Sequence, residues 1–474
     1  MAPLSFVALS EFSNLNKKQD NEVHLMAKFV AGEIEQENRN PLAISSVLDV
    51  SGSMGGPKLD SLKKTMKKLI KNLSKHDYLG IVIFATRVRE VMKPLPMDAK
   101  GKEKAYTVIE ALEADDCTNM SGGILKGFEQ FQKMDLPPIR IKPENRTQAL
   151  EIDEKTNEVD YIRRLLLFTD GLANEGIRAD DHKGFEKLVK TTPKNVTIST
   201  FGYGDNYDEE LLNLIADKAK GEAHHITDDE SMSSSFAREL GGLVSCIGQG
   251  LKMEFEMNAD NEIVEVISDN YEHSLSSDKK LLTIEIPDIY AGESMRTAIK
   301  VRIPKPGKGV AGAAREFRVA TVSGECVNLK TMEKESFEEK VMVNFVTASN
   351  ADKKPNKEVA EYAGMLKTAK ASRQAMDLAD KGNVKGAGMV LADCLKSFSH
   401  VESDKLSAFR ADMEEMQQNF ASQSMYLSNR KSLRNVTRGL SNQRAKDTAT
   451  EAYYGTKTQS EMIQSFSEDE DEKE

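Results

Sequence analysis

Four cysteines in 474 residues, at positions 117, 246, 326 and 394, are too few and too scattered for a disulfide framework. They form no C-x-x-C pair, which excludes a structural zinc site and makes a reducing cytoplasm the simplest setting. No apolar run approaches the roughly 18–20 residues of a membrane-spanning helix. The stretch 1–10 is apolar but has no basic residue before it and no small-residue cleavage pattern after it, so it reads as mature sequence rather than a signal peptide. Positive charge is not in excess. With 65 Lys and Arg against 76 Asp and Glu, a net charge of −11 gives no global electrostatic reason to bind nucleic acid or an anionic membrane. Only 13 prolines, beside 39% apolar and 30% charged residues, describe a globular chain rather than a disordered or collagenous one. Its 474 residues are enough for about three domains.

From 42 to about 245, short apolar runs alternate with polar turns and segments of helical spacing, the signature of a doubly wound, mainly parallel α/β sheet. Strands are predicted at 42–48, 78–84, 165–168, 196–201 and 223–226, several of them near-continuous apolar runs suited to burial on both faces. Helices are predicted at 121–133, 181–190, 208–220 and 231–244. The strongest lies between the first two strands, where Leu59, Leu62, Met66, Leu69 and Leu73 step by three and four. Lys63, Lys64, Lys67, Lys68 and Lys71 fall between them and read as a solvated face.

From 248 to 348 the period changes to two, with strands predicted at 251–257, 281–286, 297–303, 316–322 and 340–346, a small β-sandwich. Residues 22–30 also alternate and have no partner in the α/β segment. They are expected to pair with the sandwich, which makes the α/β domain an insertion. The expected organisation is therefore 1–41 as sandwich strands, 42–245 as the α/β domain and 246–348 as the sandwich. After it come a helical hairpin and a longer helix over 356–428, then a basic and finally acidic tail without fixed structure over 429–474. In the longer helix Leu406, Phe409, Met413, Met416, Phe420 and Leu427 keep an a/d-like spacing, read as intramolecular packing or as a partner-helix or dimer seam.

The chemistry concentrates where strands end. Val47-Leu-Asp49-Val-Ser51-Gly-Ser53-Met54 sets an Asp and two hydroxyls at alternate positions in a loop between a parallel strand and a helix. Thr118 stands in the loop before a further helix, and Phe168-Thr-Asp170-Gly brings a second carboxylate to the same sheet edge. Two carboxylates and three hydroxyls, with no His or Cys, are hard oxygen donors of the kind Mg²⁺ prefers, with Mn²⁺ or Ca²⁺ as substitutes. His224-His225 falls on a predicted strand, where packing or exposure is favoured over metal binding. No G-x-S-x-G, phosphate-binding loop or kinase signature set is present.

Asp49, Ser51, Ser53, Thr118 and Asp170 together resemble the D-x-S-x-S, T, D pattern of the metal-ion-dependent adhesion site in the von Willebrand factor type A domain. The likeness covers about 42–245, with intracellular and bacterial proteins of sandwich-plus-helix architecture as a looser match. It implies a Rossmann-like α/β fold and direct ligation by the serines and, when ligand is bound, by the threonine, with the aspartates acting largely through water. The stretch 137–161 is longer and more charged than a simple connection and has no assigned role. The expectation is a non-enzymatic, cytoplasmic scaffold or adhesion module, with a C-terminal region that organises assembly and a Mg²⁺ that captures an acidic residue of a partner protein. The alternatives are a secreted matrix or inhibitor-heavy-chain-like protein, a metal-dependent hydrolase, a ubiquitin-ligase-associated adaptor, and a purely structural subunit.

Overall fold

The computed structural model describes residues 5–32, 39–134, 136, 139–140, 158–159, 161–193, 195–204, 206–268, 271–306, 316–329, 333–397, 410, 413–414, 417–442, 462–464 and 466. The chain forms two compact units. One comprises Met1–Ile34, Ile247–Asn328 and Glu333–Thr456; the other comprises Glu35–Cys246, Leu329–Met332 and Lys457–Glu474.

Strands β1 (Ser5–Ser10), β2 (Asn14–Asn16) and β3 (Asn21–Val30) belong to the first unit. The second unit begins with β4 (Leu42–Asp49), every residue of which is buried, as a central parallel strand requires. Helix α1 (Pro57–Asn72) follows, opened by Gly56 at φ 76° and by Pro57, whose fixed φ suits a first turn. It buries Leu59, Leu62, Met66 and Leu69 on one face. Then come β5 (Tyr78–Phe84), β6 (Val88–Pro96), α2 (Ala99–Glu110), α3 (Met120–Lys133), the short pair β7 (Ile139–Arg140) and β8 (Glu158–Val159), and β9 (Ile162–Thr169). The series closes with α4 (His182–Val189), β10 (Val196–Tyr203), α5 (Glu209–Lys218), β11 (Ala223–Ile226) and α6 (Asp229–Val244). Asp98, Asn119, Asp181, Asp208 and Asp228 cap α2 to α6, each side chain accepting a backbone N–H of the first turn, a contribution of about 1 kcal/mol per cap.

The sheet runs β11-β10-β9-β4-β5-β6, parallel except for β6, which is antiparallel to β5. Helices α3, α4 and α5 pack on the face bearing Val47, Leu165 and Leu167. Phe236 of α6 meets Phe168 and Phe201 on the opposite face, at ring distances of 5.6 and 5.5 Å. The connections leave β4 toward β5 and leave β9 toward β10, so the strand order reverses between β4 and β9. In such sheets the crevice beyond the strand ends at that point is the natural binding site. The sequence reading omits β6 and α2. The 137–161 stretch lies mostly outside the described residues; within it β7 pairs antiparallel with β8.

In the first unit, β12 (Cys246–Met257), β13 (Glu262–Val266), β14 (Glu272–Leu275), β15 (Leu281–Tyr290), β16 (Ser294–Ile303), β17 (Glu316–Asn328) and β18 (Glu333–Val346) complete two sheets. Their orders are β1-β3-β16-β13 and β14-β15-β12-β17-β18-β2, and they share one apolar core. Strand β3 pairs antiparallel with β16 from Asn21 opposite Ile303 to Val30 opposite Ser294. The α/β segment is thus inserted into a sandwich whose first strands precede it.

Helices α7 (Lys357–Asp380) and α8 (Val384–Ser397) form a hairpin around Gly382, at φ 81°. Helix α9 (Gln423–Asn442) packs on α7. Here the structure corrects two expectations. The a/d seam is interrupted by a turn at 419–422: Met413 and Phe420 are buried, but Leu427 is 58% exposed and Tyr426 is buried in its place. Leu406, Phe409 and Met416 lie outside the described residues. The basic block from 429, expected to lack fixed structure, is helical to Asn442; Arg430 pairs with Asp380 at 2.7 Å beside the Tyr426 hydroxyl, itself 2.6 Å from that carboxylate, and Leu433 is buried against α7 and α8.

Candidate metal centre

The edge formed by the ends of β4 and β9 is stapled from three loops. The Asp115 N–H donates to the Val50 carbonyl at 2.7 Å, and the Gly52 N–H to the Asp116 carbonyl at 3.0 Å. The Asn174 side chain accepts the Thr118 N–H at 2.8 Å, while Asn174 and Glu175 donate N–H groups to the Thr118 carbonyl. These bonds fix the loops that carry the five sequence-predicted residues.

Asp49 and Asp170 are fully buried at the strand ends, and Ser51 and Thr118 nearly so; Ser53 is exposed. Asp49 Oδ1 accepts the Ser51 N–H at 2.8 Å, and its Oδ2 accepts the Thr169 hydroxyl at 2.5 Å. Ser53 Oγ donates to Asp170 Oδ1 at 2.7 Å and lies 3.1 Å from Ser51 Oγ. Thr118 stands beside them, since a methyl group at Gly171 would sit 3.5 Å from Ser53 Oγ and 3.6 Å from Thr118 Oγ1. The five predicted residues therefore lie at one sheet edge, with Ser53 alone exposed and the two carboxylates buried.

The electrostatics are those of a place short of positive charge. Burial pushes Asp49 up to about 6; hydrogen bonds from Ser51 and Thr169 pull it back, and the Asp170 charge adds to the rise. The Lys58 ammonium supplies one cation, reaching Asp170 Oδ2 while lying 5.9 Å from the centre of the Tyr203 ring. A lysine in the first turn of α1 opposes the helix dipole, so it gains nothing from that position and is held by the carboxylate instead. With the Lys58 ammonium on Asp170, and with two carboxylates and three hydroxyls as the candidate donors, the donor set fits a hard divalent ion such as Mg²⁺. Among the described residues there is no cluster of three or more His, Cys, Asp or Glu, so a metal here would rest on two carboxylates together with hydroxyls.

Three residues of the site escape the sequence reading. Thr169 is adjacent to Asp170 but serves Asp49, a pairing visible only once β4 and β9 are neighbours. Lys58 carries a faint signal, a basic residue after Pro57 where an acid is favoured. Asn174 carries none.

The two strand histidines are held by side chains. His224 pairs with Glu239 at 3.2 Å and stacks on Phe201 at 4.6 Å, and His225 meets the Tyr207 hydroxyl at 2.7 Å. Glu239 also accepts from Ser199 and faces buried Arg164 at 3.4 Å. Burial raises Glu239, but the Arg164 charge and the His224 and Ser199 bonds outweigh it and hold the carboxyl at about 2.

Residues 42–225 match the model of the von Willebrand factor type A domain. Among solved structures, the chain is similar to von Willebrand factor type A from Catenulispora acidiphila, at 17% identity and a TM-score of 0.62, covering 84% of this chain and 87% of that one. It is also similar to the ArnB paralog VWA2 from Sulfolobus acidocaldarius, at 15% identity and a TM-score of 0.55, covering 91% and 98%. At such identities these likenesses establish the fold, sandwich and helices included. Among curated proteins, inter-alpha-trypsin inhibitor heavy chain H1 of Homo sapiens is 24% identical over 52% of this chain. The E3 ubiquitin-protein ligase WAV3 of Arabidopsis thaliana is 23% identical over 61%. The chain spans 25% and 34% of the length of these two relatives.

Proposed function

We propose that this von Willebrand factor type A domain is a Mg²⁺-dependent protein-binding module, its metal held by Asp49, Ser51, Ser53, Thr118 and Asp170, and that it captures an acidic side chain of a partner. One observation carries the reading: Ser53 Oγ, at the solvent edge, joins Ser51 Oγ and Asp170 Oδ1 at 3.1 and 2.7 Å over two fully buried carboxylates. When bound there, Mg²⁺ supplies a hard, oxygen-seeking positive charge. Asp49 and Asp170 provide the balancing negative charge from below, and Ser51, Ser53 and Thr118 provide neutral donors above. Neutral hydroxyls remove less charge than carboxylates, so the solvent side favours an anionic donor from outside the chain. Thr169 and the Ser51 N–H hold Asp49 in position, and Asn174 holds the Thr118 backbone.

Binding rather than turnover is the reading we adopt: the Ser51 N–H runs to Asp49 and the two serine hydroxyls to each other and to Asp170, carboxylates that this reading assigns to balancing the metal's charge rather than to activating a nucleophile. The four cysteines are free thiols, in keeping with a reducing, cytoplasmic compartment. No helix among the described residues is long and apolar enough to cross a membrane. The test is capture of partners from the native cell by the full chain in magnesium or in chelator. Partners retained by wild type in magnesium, and lost both in chelator and with Ser53→Ala, agree with the proposal. Partners retained equally in all three conditions refute it.

A further inference from the structure

The lysine face of α1, read from sequence as wholly solvated, is interrupted at Lys68. Phe466, 398 residues farther along, is only 1% exposed, and its carbonyl accepts a hydrogen bond from Lys68 Nζ at 2.7 Å. The same ammonium lies 5.5 Å from the centre of the Phe466 ring and 3.3 Å from Ser233 Oγ on α6. Phe236, one helical turn beyond Met232 on α6, meets the Phe466 ring at 6.4 Å, and Met232 is itself buried. Residues 462–464 and 466 are helical, and Lys457–Glu474 belongs to the α/β unit although the chain just before it belongs to the other.

From this we infer a second binding site on the α/β domain: a groove between α1 and α6 that takes a short peptide with an aromatic anchor followed by acidic residues, and that is filled in cis by this chain's own C-terminal segment. Three features specify that ligand. The ring of Phe466 lies against Phe236 of α6, with Lys68 of α1 at its face, so the anchor is aromatic. The anchor's carbonyl accepts a hydrogen bond from the Lys68 ammonium, so the peptide's backbone is engaged beside its ring. Beyond Phe466 the sequence continues Ser467-Glu-Asp-Glu-Asp-Glu-Lys-Glu474, six acids in eight residues, and α1 carries Lys64 one turn from Lys68 on the same face. An aromatic side chain with a lysine at its carbonyl and an acidic run next in sequence is charge-complementary to this helix in a way that a chance apolar contact is not. The site is separate from the five-residue centre and does not depend on metal.

The test uses the full chain carrying Phe466→Ala, to which a fluorescent peptide of residues 457–474 is added. In the unaltered chain the tethered segment competes at an effective concentration on the order of millimolar, so the variant should bind the peptide at least about tenfold more tightly. Adding Lys68→Glu should abolish that gain, and raising the salt should weaken it. Equal binding to variant and wild type, or no binding to the variant, overturns the inference. Should circular dichroism show that Phe466→Ala fails to fold, the unaltered chain serves instead. Excess wild-type peptide should then speed tryptic cutting at Lys457 while a Phe466→Ala peptide should not, and equal rates overturn the inference.

Discussion

Replacing Asp49 by Asn separates the two things this carboxylate does, because the substitution should act in opposite directions with and without metal. In the metal-free chain burial, with a smaller contribution from the Asp170 charge, lifts Asp49 from its ordinary 3.8 to about 6. That rise of about two pH units corresponds to roughly 3 kcal/mol of destabilisation once both folded and unfolded forms are ionised. Between about pH 4 and 6 the native state binds the extra proton, so this stabilising proton is fully present below the unfolded value and is lost as the pH rises through the folded one. Asparagine stays neutral. Its amide oxygen can still accept the Ser51 N–H, and its amino group can face Thr169, whose hydroxyl then accepts. Allowing about half of the gain for imperfect hydrogen bonding, Asp49→Asn should stabilise the metal-stripped chain by about 1–2 kcal/mol at pH 7.5 and by nearly nothing at pH 4. In a domain of this size each kcal/mol moves the midpoint by roughly 2–4 °C, which thermal unfolding followed by circular dichroism resolves. With excess magnesium the order should reverse, wild type gaining stability by ligand linkage and the variant gaining none. If Asp49→Asn is destabilised in chelator at both pH values, the reasoning about the buried pair is wrong.

The other predictions concern what surrounds the centre. Lys58→Met removes the tethered cation that a metal must displace from Asp170; since the lysine is 29% exposed, the competing contact is worth about 0.5–2 kcal/mol, so titration calorimetry should show Mg²⁺ affinity rising roughly 2- to 30-fold. Unchanged affinity would deny Lys58 that role. Glu239→Gln leaves buried Arg164 without its counter-ion and should cost about 3–5 kcal/mol at pH 7 by urea unfolding. Because Glu239 is held at about 2, its contribution is present above the unfolded value of 4.5, so the gap between variant and wild type should close as pH falls from there toward 2. Gly221→Ala would place a methyl carbon 2.0 Å from the Ile198 carbonyl oxygen, a backbone atom that cannot step aside, so a loss above about 3 kcal/mol is expected.

How far the sequence could be read depended on whether a residue's role was local. Strand β5 falls where the apolar run predicts, residues 78–84, because a strand buried in a parallel sheet is apolar nearly throughout; the edge strand β11, Ala223–Ile226, also lies at its predicted residues, although only Ile226 is fully buried. Strand β6 was invisible for the complementary reason. As an edge strand it carries Arg89, Glu90, Lys93, Pro94 and Pro96, the residues that keep an edge from pairing further, and these mask its alternation. Helix α2 buries Gly101, Ala105 and Ile109, a stripe so small that no apolar periodicity marks it. The pairing of β3 with β16 was legible because an alternating segment without a local partner must find one elsewhere. In the centre, the five oxygen donors were legible because each sits at a strand end or in a loop of recognisable spacing. Thr169, Lys58 and Asn174 were not, since what they do is decided by neighbours that only the folded sheet brings near.

The central claim is that five distant side chains make one divalent-cation site. Calorimetric titration of Mg²⁺ into the metal-stripped full chain tests it most directly: one ion per chain should bind to wild type, with binding lost in Ser53→Ala and Asp170→Ala chains that remain folded. Absence of binding to wild type, or unchanged binding to those two variants, would contradict it.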